Sequence, residues 1–272
     1  MKIISFILSL SIIIILVLGI LPIQFISNIF NLKLRYIAPF NFFKLINFFI
    51  GINIILDKES LDYLKNKNGV GNLYVSNHVS WIDILTIGSL IKSRFIAKKE
   101  VKAMPIFGFL ATLNNTYYID NTKASKSLGY SNEIQKKLLN GQNLILFPEG
   151  TTSDGSSVRT FKSSFFESAN SKYICPISGE EKYIRVHPIT LSYLNKDGLP
   201  MGIATRREIA WIGEHPVINI MLNFLASGNV TIRIKIHKPV TIEEFGDRKK
   251  LSVYCEDTIL ANLTDTLHST AL

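Results

Sequence analysis

A long apolar run near the N-terminus limits what this chain can fold into more than any other feature. No charged residue occurs between Ile3 and Phe25. A helix needs about 20 predominantly apolar residues to cross the hydrocarbon core of a bilayer, and this run exceeds that length. A cleaved signal peptide is the competing interpretation because Lys2 precedes the run, but no small-x-small cleavage site follows it. We therefore expect a retained membrane anchor.

A second apolar segment extends over about Tyr36–Leu56 and is interrupted by polar residues and a proline. These interruptions suit a helix in the membrane interface better than a second span. Positive residues flank the first run on both sides, so the charge rule leaves its orientation undecided. Asp57–Gly71 is polar and rich in turn formers. The sequence therefore predicts an anchor over residues 1–56, as one span or a helical hairpin, and a second domain over residues 57–272.

From Gly71 onward, short apolar runs alternate with stretches of helical length. The predicted strands are Leu73–Val75, Arg94–Ala97, Thr116–Ile119, Asn143–Phe147, Val186–Tyr193 and Val230–Ile236. The predicted helices are Trp81–Ile91, Glu100–Leu113 with a break near Pro105, Ser125–Leu139, Pro216–Leu225 and one within Arg248–Leu267. This alternation is typical of an α/β fold, here a central mixed sheet flanked by helices.

The charge balance restricts the class of partner. Thirty Lys and Arg against 21 Asp and Glu give a net charge of +9 and a pI of about 9.4. Such a surface suits a nucleic acid, an anionic membrane or a phosphate-bearing substrate. Because 47% of the residues are hydrophobic and no zinc-type or RNA-binding signature occurs, we expect a membrane and no nucleic acid. Cys175 and Cys255 form no motif and fit a reducing compartment.

One basic cluster stands out around the second predicted strand, Arg94–Ala97. Its members are Lys92, Arg94, Lys98, Lys99 and Lys102, with Glu100 as the acid among them. A solvated face is one interpretation. The other is a surface that faces anionic lipid headgroups and the phosphates of a substrate.

The stretch Asn72–Asp83 places a histidine in a strand-to-helix turn. His78 follows the first predicted strand after Ser76 and Asn77, and α/β proteins tend to expose reactive groups at such turns. Asp83 has two interpretations. It is the third helical residue after Ser80, as in a capping box. Alternatively, it reaches back to one imidazole nitrogen of His78 and leaves the other nitrogen free as a general base.

A second turn with chemical potential follows the fourth predicted strand, where the sequence reads Pro148-Glu149-Gly150-Thr151. Gly150 lets a backbone approach a ligand closely, and the N–H groups after it could bind an anion. An ordinary turn is the simpler interpretation. A glutamate just past an apolar strand favours a functional one.

Together, these blocks resemble the 1-acylglycerol-3-phosphate O-acyltransferases, the membrane-bound glycerolipid acyltransferases. The resemblance runs from about Asn72 to Val240. Asn77-His78 with Asp83 matches the first family block. Phe147–Thr151 matches the third block, Phe161-Lys162 follows it as in many members, and Val186–Ile189 is similar to the fourth block.

The second family block departs from the pattern. It usually ends in an arginine that is thought to contact the acceptor's phosphate, but here Asn121 follows Asp120. Asparagine brings neither charge nor a bidentate fork. Either Lys123 replaces the arginine as a point charge, or the acceptor presents no phosphomonoester there.

The resemblance implies direct acyl transfer from a thioester. His78 would take the proton of the acceptor's hydroxyl and Asp83 would orient His78, so no metal and no cofactor is expected beyond the acyl-CoA or acyl carrier protein co-substrate. The residues that the resemblance assigns to substrate binding are Glu149, Gly150, Thr151, Asn121, Lys123, Lys98, Lys162 and Pro188.

Lysophosphatidic acid, acylated at its sn-2 hydroxyl to phosphatidic acid, is the first acceptor that the resemblance implies. A lyso-ornithine lipid is the alternative, because of Asn121 and because Ala210–Gly213 looks like bacterial members of that branch. A non-catalytic lipid-binding protein is a third hypothesis. The expected location is the inner or cell membrane, with the active site on the cytoplasmic side and a lysolipid and an acyl thioester as partners.

Overall fold

The computed structural model describes residues 2–65, 69–104, 107–119, 127–213 and 216–270. The α-helices in these ranges are α1 (Lys2–Ile29), α2 (Leu34–Phe49), α3 (Lys58–Tyr63), α4 (Ile82–Leu90), α5 (Lys99–Lys102), α6 (Phe107–Leu113), α7 (Ser127–Leu139), α8 (Ile203–Ile209), α9 (Val217–Ser227) and α10 (Arg248–Thr270). The strands are β1 (Ile52–Leu56), β2 (Leu73–Ser76), β3 (Arg94–Lys98), β4 (Tyr117–Ile119), β5 (Leu144–Leu146), β6 (Lys172–Ile174), β7 (Glu181–Tyr183), β8 (Val186–Lys196), β9 (Leu199–Pro200) and β10 (Val230–Ile236).

A mixed sheet forms the centre of the fold, with the strand order β1-β10-β8-β2-β5-β3-β4 and β9 added to β8. β2 is parallel to β5 and β8, and β3 is parallel to β5 and β4. β10 is antiparallel to β8 and parallel to β1. β6 and β7 pair separately. The expected mixed α/β architecture is confirmed.

Helices cover both faces of this sheet, and β2 illustrates why. All its residues are buried. Tyr74 belongs to an apolar cluster with Ile82 and Ile87 of α4, whereas Leu73 belongs to a second cluster with Leu138 of α7. A strand that is buried on both faces reads as a continuous apolar run rather than an alternating one. The sequence around β2 therefore requires a helix on each side.

The two N-terminal helices pack against the sheet domain. Ile7–Ile29 of α1 has a mean hydropathy of 2.6 with 6% of the window buried, so it is long and apolar enough to cross a membrane. α2 packs between α1 and α4. Phe43 of α2 approaches α4 so closely that a Cβ on Gly88 would lie 2.5 Å from its ring. α1 has the length and apolar composition that the sequence predicts for an anchor.

The expectation of a helix through Leu56 is wrong beyond Phe49. Residues 52–56 form β1, which pairs with β10 from Ile52 opposite Val230 to Leu56 opposite Ile234. This strand therefore belongs to the central sheet. A short apolar strand and the end of an interfacial helix share one composition, so the apolar pattern did not separate them.

The other predicted strands and helices are confirmed with small shifts at their ends. The expected helix over Glu100–Leu113 is two helices, α5 and α6, and Pro105 between them lies outside the described residues, as does Ser125 before α7. The sequence analysis missed five short elements. These are α3, α8, β6, β7 and β9.

Candidate active site

The structure brings the His78 turn and the Glu149 turn to one edge of the sheet. β2 and β5 are parallel neighbours with Val75 opposite Leu146, so the loops that leave their carboxyl ends start side by side. After β2 the chain passes over β5 to β3, whereas after β5 it leads to β8 on the other side of β2. Such a reversal opens a crevice at the carboxyl ends of the strands, where α/β proteins bind ligands.

A short contact joins the predicted base and its carboxylate. His78 Nδ1 lies 2.7 Å from Asp83 Oδ2, and the two side chains are 15% and 0% exposed. An ionised carboxylate only accepts hydrogen bonds, so the Nδ1 proton belongs to this contact. Nε2 is then the unprotonated nitrogen of the neutral ring, and in the described ranges it has no hydrogen-bond partner. The geometry that the sequence suggested for a general base is present.

Asp83 is held by three further hydrogen bonds. The N–H groups of Val79 and Ser80 donate to Oδ2 at 2.6 and 2.9 Å, and the Tyr193 hydroxyl donates to Oδ1 at 2.7 Å. Burial, followed by the Asp83 charge, raises the pKa of Tyr193 well above its ordinary value, so this phenol stays protonated. Four donors thus compensate the buried carboxylate, which a charge in an apolar interior requires.

The capping interpretation of Asp83 is also partly correct. Its carboxylate accepts from the Ser80 N–H, as the third residue of a capping box does. The Ser80 hydroxyl, however, donates to the Ile209 carbonyl at 2.7 Å instead of closing the box. One carboxylate therefore anchors the start of α4 and orients His78 at the same time.

Aromatic stacking fixes the plane of the imidazole. The ring of Phe147 stacks on His78 with a centroid distance of 3.9 Å and an interplanar angle of 12°. Phe95 also stacks with Phe147, at a centroid distance of 6.2 Å. The backbone of His78 is held as well, because its carbonyl accepts from the Ser153 N–H at 2.8 Å. Ring and backbone are therefore both positioned before any substrate arrives.

Both carboxylate oxygens of Glu149 accept hydrogen bonds from backbone N–H groups. Its Oε1 accepts from the His78 N–H at 2.8 Å and its Oε2 from the Arg159 N–H at 3.1 Å, and the residue is 3% exposed. Burial raises the pKa of Glu149 to about 7, although the two N–H donors lower it. In this arrangement Glu149 joins the His78 turn to the loop at Arg159, and its expected contact with the acceptor stays a prediction.

The glycine turn after Glu149 is tight. Gly150 has a φ of +69°, and a Cβ there would lie 3.0 Å from Lys162 Nζ. The Gly150 N–H donates to the Phe147 carbonyl at 3.1 Å. The expected binding of an anion by the N–H groups after Gly150 stays a prediction. Thr151 and Lys162 are exposed beside the turn. They place a hydroxyl and an ammonium where a polar headgroup could bind.

The segment that contains α8 and Trp211, which the sequence analysis barely used, contacts the site. The Trp211 N–H donates to the Val79 carbonyl at 2.9 Å, and the Thr152 hydroxyl donates to the Trp211 carbonyl. Arg207 contacts Asp154 with two nitrogens at 3.2 Å each. The segment with α8 thus contacts both the His78 turn and the loop after Glu149.

An apolar cavity of about 210 Å³ lies between the N-terminal helices and the sheet. Its described lining carries no charged residue and comes mainly from α1, α2, α4 and α6. Phe95 lines this cavity and also belongs to the ring stack that ends at His78. Two rings, Phe95 and Phe147, thus connect the cavity to the histidine, and the cavity has the composition of a hydrocarbon site.

The remaining predicted residues have different positions. Lys98 ends β3, at the same edge as the histidine turn. Pro188 is buried within β8 opposite Val75, so no contact with an acceptor is evident. Asn121 and Lys123 lie outside the described residues. In the described ranges, no group of three His, Cys, Asp or Glu could hold a metal.

Sequence reasoning missed three positioning residues. Tyr193 contacts Asp83 across 110 positions of sequence. Phe147 stacks on the histidine. Asn77 donates to and accepts from the backbone of Leu191 at 2.9 Å each, which ties the turn to β8. The position of Asn77 directly before His78 was the one available signal.

Comparisons with known proteins agree with this geometry. A family model described as Acyltransferase matches residues 57–192. A lyso-ornithine lipid O-acyltransferase of Rhizobium meliloti (strain 1021) is 30% identical over 250 residues, which cover 92% of this chain and 82% of the relative. One of Brucella abortus (strain 2308) is 32% identical over 75% of each chain. A 1-acyl-sn-glycerol-3-phosphate acyltransferase of Neisseria meningitidis serogroup B is 35% identical, covering 74% of this chain and 72% of the relative.

The fold has a solved counterpart. The crystal structure of the 1-acyl-sn-glycerophosphate acyltransferase of Thermotoga maritima superposes with a TM-score of 0.66 and covers 98% of both chains at 20% identity. At this identity the likeness concerns the fold. The family match over residues 57–192 and the 30–35% identity to these relatives show that this chain belongs to the acyltransferase family and is an enzyme of the lysophospholipid and glycerolipid type.

Proposed function

We propose that this acyltransferase moves a fatty acyl chain from a thioester to a free hydroxyl of a lysolipid, with His78 as the general base. The 2.7 Å contact from His78 Nδ1 to buried Asp83 is the observation that carries the proposal. It leaves Nε2 free to accept a proton, at the edge of the sheet where Glu149 and Lys162 also lie. No serine or cysteine nucleophile is required, because a thioester is already activated.

The reaction conserves atoms and charge in a simple way. His78 Nε2 accepts the hydroxyl proton while the hydroxyl oxygen forms a bond to the thioester carbonyl carbon. The tetrahedral intermediate collapses, the carbon–sulfur bond breaks, and the thiolate takes the proton from the imidazolium. Asp83 stabilises the imidazolium between these steps. The products are an ester and a free thiol on coenzyme A or acyl carrier protein.

The surroundings of His78 support lipid substrates. The apolar cavity of about 210 Å³ adjoins the ring stack, so an acyl chain placed there would present its carbonyl near the imidazole. Lys98 and Lys162 are candidates for the negative charge of a headgroup or donor. The 23-residue apolar window of α1 supports membrane association, and we place the active site at the cytoplasmic side.

Two acceptors are candidates. Lysophosphatidic acid, acylated at sn-2, is supported by the relative from Neisseria meningitidis. A lyso-ornithine lipid is supported by the relatives from Brucella abortus and Rhizobium meliloti and by Asn121, which replaces the phosphate-binding arginine of the family pattern. Both acceptors use the same base and the same donor chemistry.

The deciding experiment incubates the purified full-length protein with an acyl-CoA or acyl carrier protein donor and each acceptor separately. Product formation would be followed by mass spectrometry. Turnover of lysophosphatidic acid alone supports the first acceptor, and turnover of the lyso-ornithine lipid alone supports the second. Absence of any acylated product with both acceptors and both donors would contradict the proposed reaction.

The role of the base is tested with His78→Ala. We expect kcat to fall by roughly 10²–10⁴-fold, since a positioned base contributes that much. His268→Ala is the matched control, because His268 is exposed near the end of α10. Undiminished turnover of the His78 variant would remove His78 as the base.

A further inference from the structure

A second group of charges lies near the start of β3, at the end of the strands opposite the carboxyl ends where His78 lies. Arg94 is the first residue of β3 and Lys98 the last. A strand rises about 3.3 Å per residue, so Arg94 lies roughly 13 Å from the catalytic edge. Arg94 is nevertheless buried, with 8% of its surface exposed. A buried guanidinium away from the catalytic crevice needs its own explanation.

Two guanidinium groups share the ring of Tyr36. The Arg94 Cζ lies 4.6 Å from the ring centroid and the Arg35 Cζ lies 5.0 Å from it. Arg35 also donates to the Tyr36 hydroxyl at 3.2 Å and to the Asn31 side chain. Burial lowers the pKa of Arg94, and the adjacent Arg35 charge lowers it further while Tyr36 opposes this. The two like charges therefore lie close together in a poorly solvated place.

Two lysines add to this charge at the Phe40 ring of α2. The Lys44 ammonium lies 4.2 Å from the centroid of the Phe40 ring, and the Lys92 ammonium lies 5.4 Å from it. Lys92 also lies close to Arg94 in the sequence, with Ser93 between them. The four cations that contact these two rings are named here the α2–β3 cluster. They are Arg35, Lys44, Lys92 and Arg94.

This cluster has no acidic counterpart in the parts of the chain that the structure describes. Arg94 Nη2 and Arg35 Nε are buried and have no hydrogen-bond partner there. The sequence contains no Asp or Glu in residues 1–56, nor between Asp83 and Glu100. Buried charges are ordinarily paired, because an uncompensated one is costly. The cluster therefore carries positive charge that no described carboxylate compensates, which favours the binding of an anion beside it.

We propose that the α2–β3 cluster binds the phosphate of an anionic membrane lipid, at a site separate from the catalytic one. Arg94 and Arg35 would hold the phosphate oxygens with charge-assisted hydrogen bonds, the geometry for which guanidinium groups are suited. The gap between the two side chains is small, about 10 Å³. The phosphate therefore binds at the mouth of this gap, beside the half-buried Arg35.

Two features favour a lipid phosphate over free phosphate. Pro39, Phe43 and Asn114 line both this gap and the apolar cavity, so hydrocarbon-compatible surface directly adjoins the cations. Phe30 and Leu34, close to Arg35 in the sequence, are 68% and 42% exposed. Cations beside an exposed apolar surface are the combination that an anionic bilayer attracts.

The experiment uses the full chain in a neutral detergent, without acyl donor or acceptor. Thermal unfolding is measured with dioctanoyl phosphatidylglycerol, dioctanoyl phosphatidylcholine or inorganic phosphate at equal concentrations. A ligand that binds only the native state raises the Tm in proportion to its saturation. We expect phosphatidylglycerol to raise the Tm clearly more than either of the other two. Arg94→Gln should weaken its apparent affinity roughly tenfold or more, since it removes a charged hydrogen-bond donor.

Controls keep this result specific. Lys249→Gln removes the same charge at an exposed position of α10 and should leave the shift unchanged. If Arg94→Gln does not fold, Arg35→Gln and Lys92→Gln, which change less buried residues, should each weaken binding. The Arg94 variant should keep its acyl-transfer rate on a detergent-soluble acceptor.

Several outcomes would overturn the proposal. One is an equal shift with phosphatidylcholine, and another is an undiminished shift in the Arg94 and Arg35 variants. An equal shift with inorganic phosphate would replace the lipid by a free anion. Loss of acyl transfer together with the shift would place the lipid at the catalytic site. The binding readout needs no turnover, so it stands or falls independently of the proposed reaction.

Discussion

At the carboxyl ends of β2 and β5, two buried carboxylates are each met by several donors, whereas at the start of β3 a buried guanidinium keeps an unpaired nitrogen. Asp83 accepts four hydrogen bonds and Glu149 accepts two. Arg94 Nη2 has no partner in the described ranges. The first region is complete without a ligand, as preorganised catalytic groups are. The second region has no counter-charge among the described residues. This is the expected state of an anion-binding site without its ligand.

The largest expected effect concerns Asp83→Asn. An amide would present an NH₂ group to the donors that now surround the carboxylate and would not stabilise an imidazolium, so we expect kcat to fall roughly 10²–10⁴-fold with a small change in KM. Steady-state kinetics with the better acceptor measures this.

Tyr193→Phe tests the same role of Asp83 with a smaller change. It removes one of the four hydrogen bonds to Asp83, and we expect a loss of about tenfold or less in kcat. A larger effect on KM than on kcat in both variants would contradict the orienting role of Asp83.

The next effect concerns the pH dependence of stability at Glu149. Its pKa of about 7 in the folded protein exceeds the ordinary value of 4.5, so the native state binds the proton more tightly than the unfolded chain. The resulting stabilisation is present below about pH 4.5 and is lost as the pH rises through 7, by about 3 kcal/mol. The amide of the Glu149→Gln variant does not titrate, so the Tm of the wild type relative to that of the variant should decrease from pH 5 to pH 8.

Thermal unfolding of both proteins across this pH range tests that sign. A constant difference would show that burial does not shift this carboxyl. The same variant should weaken acceptor binding or positioning less severely than Asp83→Asn weakens turnover, because Glu149 acts on His78 through its backbone.

The smallest effect is expected for Arg94→Met in the absence of lipid. Methionine removes an unpaired buried charge and keeps most of the apolar side chain, but it loses the contact with the Tyr36 ring. We expect a free energy of unfolding within about 1 kcal/mol of wild type. Chemical unfolding in neutral detergent measures it. A loss well above about 2 kcal/mol would show that Arg94 is a structural member of the fold, and the contrast between the two edges would fail.

Much of the catalytic edge could be predicted because its determinants are local in sequence. His78 and Asp83 lie within one strand-to-helix turn, so their spacing along the chain indicated their contact as one of two interpretations, beside the capping box. The strands β2 and β5 were evident as apolar runs, and parallel neighbours necessarily place their carboxyl ends together. Gly150 was recognised as a turn, although the destination of its N–H group was not.

The remainder depends on contacts between distant segments. Tyr193 belongs to a strand whose apolar pattern marks it as core, and nothing in that pattern distinguishes a tyrosine that donates to Asp83 from one that only packs. The orientation of Glu149 towards backbone N–H groups likewise requires the position of Arg159. β1 was hidden for another reason, since its composition continues that of α2.

The strand β1 also determines how the N-terminal helices are connected to the central sheet. After α2 the chain turns at Gly51, whose φ is +77° and where a Cβ would lie 2.1 Å from Asn229 Oδ1, and at once enters the hydrogen-bond ladder with β10. Only Ile50 and Gly51 lie between the end of α2 and the start of β1. Since β1 and β2 belong to one sheet, a connection of two residues links the N-terminal helices to the sheet from which the His78 turn leaves.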